Sequence, residues 1–253
     1  MSIRTSTANG VLTIEIARPE KKNALTIAMY AAMTQALSGA QADNAVRAAL
    51  ITGQPAAFTA GNDLQDFMER PPTGEDSPVM DFMYALLNFD KPVVAAVTGA
   101  AIGIGVTMLL HCDLVFVSDD AQLSTPFVSL GLVPEFASSA ILPRLLGHVK
   151  AAEVLLLGKG FSGADAVRLG IANAALPATE VVAHARRVAE RFNELPAGAV
   201  RDAKRLMRAQ TKDDVMRAVR TEIAVFSERL RSPEAKEAFE AFFQKRKPDF
   251  SKF

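Results

Sequence analysis

Hydrophobic positions in the first half of the chain follow the short, dense pattern of β-strands. Residues 3–7 and 11–17 are rich in β-branched side chains and flank Ala8-Asn9-Gly10, which predicts a hairpin. Further buried strands are predicted at 48–52, 93–97 and 114–118. Between the strands, helical spacing predicts helices at 26–40, 63–68, 79–88 and 106–111. Strands and helices therefore alternate, and this order predicts an α/β fold with largely parallel pairing.

From about residue 137 onward the hydrophobic pattern is almost entirely helical. Helices are predicted at 138–146, 151–157, 163–169, 178–193, 197–209, 213–230 and 233–244, with one possible strand at 173–176. In the last three helices charged and apolar positions alternate, so each has one face to bury against the core or another subunit. The polar segment Pro71–Pro78 is predicted to be the most mobile loop.

An uncharged run of 18 residues, Val93–Leu110, allows two structural interpretations. Its length and the Gly99/Gly103 spacing allow a transmembrane helix. Its β-branched start, three glycines and two threonines favour a strand followed by a turn. We therefore predict no membrane association.

Composition narrows the classes of partner. The 253 residues are 49% hydrophobic, enough for a substantial core, and 28 basic residues balance 28 acidic ones. This balance argues against a nucleic-acid partner. The single cysteine, Cys112, cannot form an intramolecular disulfide, and no secretory signal begins the sequence, so we predict a cytoplasmic protein. The final residues 251–253 only loosely resemble a peroxisomal signal, which usually ends in leucine.

Several common catalytic motifs are missing. The three histidines show no metal-binding spacing, which predicts no metal site. Neither a GxSxG nucleophile elbow nor a GxxxxGK[ST] phosphate loop occurs, and the glycines at 99–105 do not form GxGxxG.

Two glycine-containing turns remain, each between a predicted strand and a predicted helix. Residues 60–64 (AGNDL) follow the strand at 48–52, and residues 99–105 follow the strand at 93–97. Glycine allows a backbone to approach a ligand closely, and amides at a helix start have no partner within the helix. Two such amides aimed at one point would form an oxyanion hole. Alternatively, the glycines only permit tight turns.

Six collinear segments resemble the enoyl-coenzyme A hydratase/isomerase (crotonase) superfamily. They are ARPEKKNAL, FTAGNDL, PVVAAVTGAAIGIGVTMLLHCDL, LGLVPEFASSAILPRLLG, KAAEVLLLGKGFSGADAVRLGIAN and FFQKRKPDF, and together they cover essentially the whole chain. The resemblance implies a spiral of ββα units at 1–195 that holds an acyl-coenzyme A site. It also implies a helical region at 196–253, part of the same structural unit, that builds homotrimers or homohexamers.

The resemblance also implies site residues. The backbone amides of Asn62 and Ile104 would hold the thioester oxygen, provided that the isoleucine side chain points away from it. Contacts with the acyl-coenzyme A are expected from Ala24, Leu25, Ala60, Gly61, Asn62, Asp63, Leu64, Gly103, Phe127 and Phe136. Weaker candidates for the coenzyme A phosphates are Lys21, Lys22, Lys245 and Arg246. Coenzyme A would be part of the substrate, and no separate cofactor is expected.

Carboxylate positions indicate the branch of the family. The two glutamates of hydratases would fall at Thr107 and Phe127, which cannot exchange a carboxyl proton, so hydratase activity is not favoured. Glu135 lies in LVPEF and resembles the one glutamate of Δ3,Δ2-enoyl-coenzyme A isomerases, although a loop carboxylate at a helix start is an alternative explanation. Glu135 would remove a proton from C2 and return it at C4, with an apolar wall including Phe127 and Phe136 raising its pKa.

Two other functions stay open at this point. One is a different crotonase-type reaction, on an aromatic or ring-derived acyl-coenzyme A. The other is a non-catalytic protein that binds acyl-coenzyme A on the same fold.

Overall fold

Two β-sheets and surrounding helices make up the fold in the computed structural model, which describes residues 2–54, 56–71 and 76–253. The strands are β1 Ile3–Ala8, β2 Val11–Ile16, β3 Ala48–Gly53, β4 Ala57–Thr59, β5 Val93–Val97, β6 Ala100–Ile102, β7 Leu114–Ser118, β8 Gln122–Ser124, β9 Phe161–Ser162 and β10 Ala174–Leu176. The α-helices are α1 Ile27–Ala42, α2 Leu64–Glu69, α3 Pro78–Asn88, α4 Ile104–Thr107, α5 Ser138–Leu146, α6 His148–Leu155, α7 Gly163–Arg168, α8 Ala178–Glu190, α9 Ala197–Ala209, α10 Lys212–Arg229 and α11 Pro233–Phe243.

The larger sheet has six strands in the order β1-β2-β3-β5-β7-β10. Strand β1 pairs antiparallel with β2, so the predicted hairpin is confirmed, and the remaining neighbours pair in parallel. Every residue of the central strand β5 is buried, as expected for a parallel strand covered on both faces.

The smaller sheet, ordered β4-β6-β8-β9, was not predicted. Residues 57–59 had been assigned to no strand, and residues 100–102 were expected in a turn, which is wrong. They form β4 and β6, paired in parallel. Strand β8 continues the parallel pairing from β6. Strands of three residues are too short to show the period of two from which strands are recognised.

The two sheets are linked by a repeating path of the chain. Strands β3, β5 and β7 of the larger sheet each lead directly into β4, β6 and β8 of the smaller sheet. A helix or helical turn follows each of these pairs. This repetition is the spiral of ββα units that the resemblance implied.

Helix α1 supports the smaller sheet's loops from one side. Thr26 caps its N-terminus by accepting a hydrogen bond from the N–H of Met29, as the sequence predicted. Tyr30, Met33 and Leu37 are buried on one face, which packs against α3. Burial of each such side chain stabilises the fold by about 1.5–3 kcal/mol.

The C-terminal half is helical, as predicted, with a few shifts in the bounds. Helix α6 begins at His148 and ends at Leu155 rather than spanning 151–157. Helix α10 packs against α5, and α11 packs against the short 3-10 helix Val128–Leu130. These contacts place the last helices beside the segment that carries Glu135. The division of the chain at residue 195 and the oligomeric state stay predictions.

Two further predictions concern the polar loop Pro71–Pro78 and the uncharged run Val93–Leu110. Part of the polar loop Pro71–Pro78, residues 72–75, lies outside the described residues. The uncharged run Val93–Leu110 forms β5, β6, α4 and part of a 3-10 helix. Among the described residues, the helices all fall short of the length and apolar character that crossing a bilayer requires.

Candidate active site

Three turns meet at one edge of the smaller sheet. Strands β4, β6 and β8 are parallel neighbours, so the segments that follow their carboxyl ends lie side by side. These segments contain Asn62, Gly103 and Phe127 respectively. A crevice at the carboxyl ends of parallel strands is a common place for a ligand.

The turn after β4 presents the backbone of Asn62. Leu25 and Asn62 form an isolated parallel bridge, in which Leu25 N–H donates to Gly61 and Asp63 N–H donates to Leu25, each at 2.8 Å. In a parallel bridge, the residue that lies between two such bonds, here Asn62, directs its own N–H away from the partner segment. Within the described chain, the N–H of Asn62 has no acceptor.

Glycine is required at this turn and at the next one. Gly61 has a φ of 89°, and a Cβ there would lie 3.0 Å from the carbonyl oxygen of Ile102. Gly103 combines φ 56° with ψ −115°, a conformation that side chains disfavour. The two turns are therefore in direct contact.

The turn after β6 starts helix α4 at Ile104. As the first residue of a helix, Ile104 has no carbonyl partner for its N–H within that helix, and in the described structure the amide has no other acceptor. Its side chain is buried in the hydrophobic core. The side chain therefore points away from solvent. Whether it also points away from the thioester oxygen, the condition stated above for this amide, stays a prediction.

Glu135 is a buried carboxyl with one oxygen hydrogen-bonded and the other without a partner among the described residues. Its side chain is 5% exposed, and Oε1 accepts a hydrogen bond from the hydroxyl of Thr107. Oε2 is buried without a hydrogen-bond partner among the described residues. Thr107 lies three residues after Ile104 on α4, so one helical turn separates the amide of Ile104 from the hydroxyl that holds Glu135.

Tyr30 connects Asn62 to the same carboxyl. Its hydroxyl donates to Oδ1 of Asn62. The pKa of Tyr30 is raised well above its usual value, first by burial and then by the negative charge of Glu135. Hydrogen bonds thus join Tyr30 to Asn62 and Thr107 to Glu135, and Thr107 lies one turn after Ile104 on α4.

The environment of Glu135 favours its protonated form. Burial raises its pKa from the usual 4.5 to about 8, the Thr107 hydroxyl opposes this rise, and the negative charge of Glu222 adds to it. Such a pKa is close to that of an effective general acid and base near neutral pH. The predicted direction of the pKa change is confirmed.

Aromatic groups surround the segment next to Glu135. Phe136 is fully buried, and its ring lies 4.0 Å from the His111 ring and 6.5 Å from the Phe82 ring, centroid to centroid. Phe127 lies close to Gly103, since its ring would be 3.7 Å from a Cβ added there. The structure therefore brings both predicted phenylalanines to the site.

His111 holds the backbone of this segment. Its Nε2 lies 2.7 Å from the carbonyl oxygen of Phe136. Burial lowers the pKa of His111 to about 4, so the ring is neutral near pH 7 and Nε2–H donates to the carbonyl.

Other predicted contact residues take part in core packing, helix capping or an ion pair. The side chain of Leu25 is fully buried in the core and both its backbone groups are bonded to 61–63, and its contact with a ligand stays a prediction. Asp63 caps α2 and pairs with Arg18 at 2.6 Å. Ala24, Ala60 and Leu64 are half-buried beside these groups.

The predicted phosphate-binding residues all lie on the surface. Lys21, Lys22 and Lys245 are exposed. Arg246 forms an ion pair with both carboxylate oxygens of Glu237, which leaves it less available to a phosphate than the lysines.

Four of the residues just described had no predicted contact role: Tyr30, Thr107, His111 and Glu222. In the sequence, Thr107 was notable only as the place of a missing hydratase glutamate. Glu222 had a recognisable signal, because it shares helical spacing with the buried Val219, Ile223 and Phe226. A carboxylate on an apolar stripe requires a partner inside the protein.

A separate cavity of about 780 Å³ lies between α9, α10 and the end of α3. His111 is part of its described lining, whereas Asn62, Ile104 and Glu135 are not. Its cationic side chains are largely engaged: Lys204 and Arg208 pair with Asp113, and Arg144 pairs with Asp214. Among the described residues no group of three or more His, Cys, Asp or Glu side chains is placed to hold a metal ion.

The spiral of ββα units with a site at the edge of its smaller sheet defines an α/β fold of the crotonase type. A family model described as enoyl-CoA hydratase/isomerase matches residues 6–252. The chain belongs to this enzyme family.

Relatives and solved structures agree on the family and differ in their activity names. The mouse protein named enoyl-CoA delta isomerase 3, peroxisomal, is 32% identical over 97% of this chain and 79% of its own length. The Bacillus subtilis protein named probable enoyl-CoA hydratase is 31% identical over 90% of both chains. The structure of OdaA from Pseudomonas aeruginosa has a TM-score of 0.94 and 57% identity, over 95% of this chain and 98% of that one. The cytoplasmic location stays a prediction.

Proposed function

We propose that this protein is an isomerase that moves the double bond of a 3-enoyl-coenzyme A to the 2-position. The observation that carries the proposal is the arrangement of Glu135. It is a buried carboxyl with one oxygen bonded to Thr107 and the other unpartnered among the described residues, and Thr107 lies one helical turn after Ile104. A reaction that removes and returns one proton needs one such group.

The proposed reaction uses these groups in two steps. The amides of Asn62 and Ile104 hold the thioester oxygen while Oε2 of Glu135 takes a proton from C2. The electrons of that C–H bond move into a dienolate, whose negative charge rests on the held oxygen. The protonated carboxyl then gives its proton to C4, and the double bond is left between C2 and C3. Atoms and charge balance without any co-reactant.

The raised pKa of Glu135 suits both steps. A carboxyl whose pKa is about 8 is a stronger base than an ordinary glutamate, and its conjugate acid still returns the proton readily. Because the first step needs the carboxylate, the rate should rise with pH through this range.

The test is isomerisation of 3-hexenoyl-coenzyme A in deuterated water. We expect the wild-type protein to form the conjugated product and to introduce deuterium at C2 or C4. Glu135→Gln should lose most of this turnover, by at least about 100-fold, while it still binds the thioester. The control is Glu228→Gln, which removes an exposed carboxylate from α10. Normal turnover by Glu135→Gln would show that another group is the base.

Hydration is the second candidate, because one relative is named a probable hydratase. It would need a group that positions water, and the two places where the resemblance puts hydratase glutamates hold Thr107 and Phe127. Incubation of 2-hexenoyl-coenzyme A in ¹⁸O-labelled water separates the two activities, since only a hydratase makes a labelled 3-hydroxyacyl product. A protein that only binds thioesters would neither isomerise the substrate nor exchange its C2 protons.

A further inference from the structure

Helix α10 carries a second buried carboxylate close to Glu135. Glu222 is 7% exposed and lies on the same face as the core residues Val219, Ile223 and Phe226. A carboxylate in this position is costly unless hydrogen bonds replace its water. Its location therefore calls for partners within the protein.

Those partners are at the N-terminus of α5. Oε2 of Glu222 accepts from the N–H of Ala137 at 2.5 Å, and Oε1 accepts from the N–H of Ser139 at 2.9 Å and from the Ser139 hydroxyl. The N-cap residue of α5 is Ala137, whose side chain cannot accept a hydrogen bond. Glu222 thus caps α5 from a distant part of the sequence, and its negative charge suits the positive end of the helix.

The capped segment is the turn that directly follows Glu135. Phe136 and Ala137 both have left-handed backbone conformations, with φ of 56° and 59°. Two consecutive residues of this kind cost about 1–3 kcal/mol each and persist only when the surroundings hold them. Glu222 holds this turn from the α10 side, and His111 holds the Phe136 carbonyl from the other.

Charged and titratable groups face Glu135 from several elements. Tyr30 approaches from α1, the Thr107 hydroxyl from α4, and Glu222 from α10. The neutral ring of His111 packs on the neighbouring Phe136. Of these groups, Glu222 is the one that adds a negative charge.

We propose that Glu222 is a positioning residue, which holds the turn after Glu135 so that the Glu135 carboxyl faces the reacting carbons. The negative charge of Glu222 would act on that carboxyl as well. This inference rests on the proposed function for the role of Glu135, but not for the hydrogen bonds or the charge effect. Burial and the hydrogen bonds of Glu222 itself oppose each other, and burial dominates, so its own pKa is raised.

Two variants remove the charge of Glu222 with different losses of its hydrogen bonds. Glu222→Gln keeps the length and one acceptor oxygen but removes the charge and the other acceptor. Glu222→Ala removes both acceptors and leaves the N–H groups of Ala137 and Ser139 without partners. Glu228→Gln is the matched control, since it removes an exposed charge six residues further along the same helix.

The first measurement is the pKa of Glu135 itself, without substrate. The carboxyl carbon of ¹³C-labelled glutamate is followed by NMR, and the Glu135 signal is assigned by its loss in Glu135→Gln. We expect the pKa to fall by at least about half a unit in Glu222→Gln and to stay unchanged in Glu228→Gln. An unchanged pKa in Glu222→Gln would overturn the charge effect.

The second measurement is isomerisation as a function of pH. In Glu222→Gln the acidic limb of kcat/KM should move to lower pH. In Glu222→Ala kcat should fall at least about 10-fold, with KM changing less than about 3-fold, because the turn is lost rather than the binding surface. Equal losses of kcat in Glu222→Ala and in Glu228→Gln would overturn the positioning role.

These measurements also distinguish the two proposals. If the wild-type protein does not isomerise 3-hexenoyl-coenzyme A, the proposed function fails, while the NMR titration still tests the charge effect. If the wild-type protein isomerises and neither Glu222 variant changes the titration or kcat, the function stands and this inference fails.

Discussion

The free energy of unfolding of Glu135→Gln, relative to that of the wild type, should increase as the pH rises. In the folded protein burial raises the pKa of this carboxyl from 4.5 to about 8. In the unfolded chain the group ionises near its usual pKa. Between these two values the unfolded chain has lost the proton that the folded protein retains, so folding must take up a proton and stability falls as the pH rises. Glutamine does not titrate, so the variant lacks this loss.

The magnitude follows from the two pKa values. With a pKa of 4.5 unfolded and about 8 folded, the wild-type protein loses about 2–3 kcal/mol relative to the variant between pH 5 and pH 7, at 1.36 kcal/mol per pH unit. The glutamine amide in place of the unpartnered Oε2 brings its own burial cost. That cost is the same at both pH values, so the difference between them reports the titration alone.

The assay is urea unfolding of both proteins at pH 5, 6, 7 and 8. The free energy of unfolding of the variant minus that of the wild type should increase along the series and level off above pH 8. Glu228→Gln, whose carboxylate is exposed, should give a difference that does not change with pH. A Glu135→Gln difference that stays constant within about 0.5 kcal/mol from pH 5 to pH 7 would refute the raised pKa.

Three more substitutions test individual contacts of the site. Thr107→Val removes a hydrogen bond that favours the charged form of Glu135, and such a bond to a charged group contributes about 1.5–3 kcal/mol. The pKa of Glu135 should therefore rise, and the acidic limb of the pH profile of isomerisation should move to higher pH. An acidic limb that does not move would contradict this contact. Tyr30→Phe removes the hydroxyl that donates to Asn62. The free energy of unfolding in urea should fall by about 1 kcal/mol, and kcat should fall several-fold. An unchanged kcat would contradict the role of this contact. Gly103→Ala places a side chain at φ 56°, ψ −115°. It should lower the free energy of unfolding by about 1–3 kcal/mol and displace the adjacent amide of Ile104. A variant as stable as the wild type would contradict the strain at this position.

Local signals in the sequence were sufficient for much of the fold. Thr26 before an apolar helical pattern predicted the start of α1, and Asn9-Gly10 between two β-branched runs predicted the first hairpin. The smaller sheet escaped prediction because β4, β6 and β8 have only three residues each. Their pairing is determined by the path of the chain between the two sheets, which no local pattern encodes.

The site was predicted less evenly than the fold. Resemblance selected Asn62, Ile104 and Glu135. The structure places Asn62 and Ile104 in turns that touch, and it bonds Glu135 to Thr107 on the helix that Ile104 begins. It could not indicate that the Leu25 side chain belongs to the core, because a motif does not record the direction of each side chain. Glu222 was overlooked although its place on an apolar helical face was visible in the sequence.

The proton affinity of Glu135 is a property of the whole fold rather than of its motif. Burial raises the pKa, the Thr107 hydroxyl from α4 lowers it, and the charge of Glu222 from α10 raises it again. In a glutamate on a solvent-exposed loop, none of these three effects would change the pKa. If Glu135 is the base, the C-terminal helices are therefore part of the catalytic unit, because they supply one of the groups that set its pKa and hold the turn that aims it. Related chains that keep the glutamate but lack a carboxylate equivalent to Glu222 should then work best at lower pH.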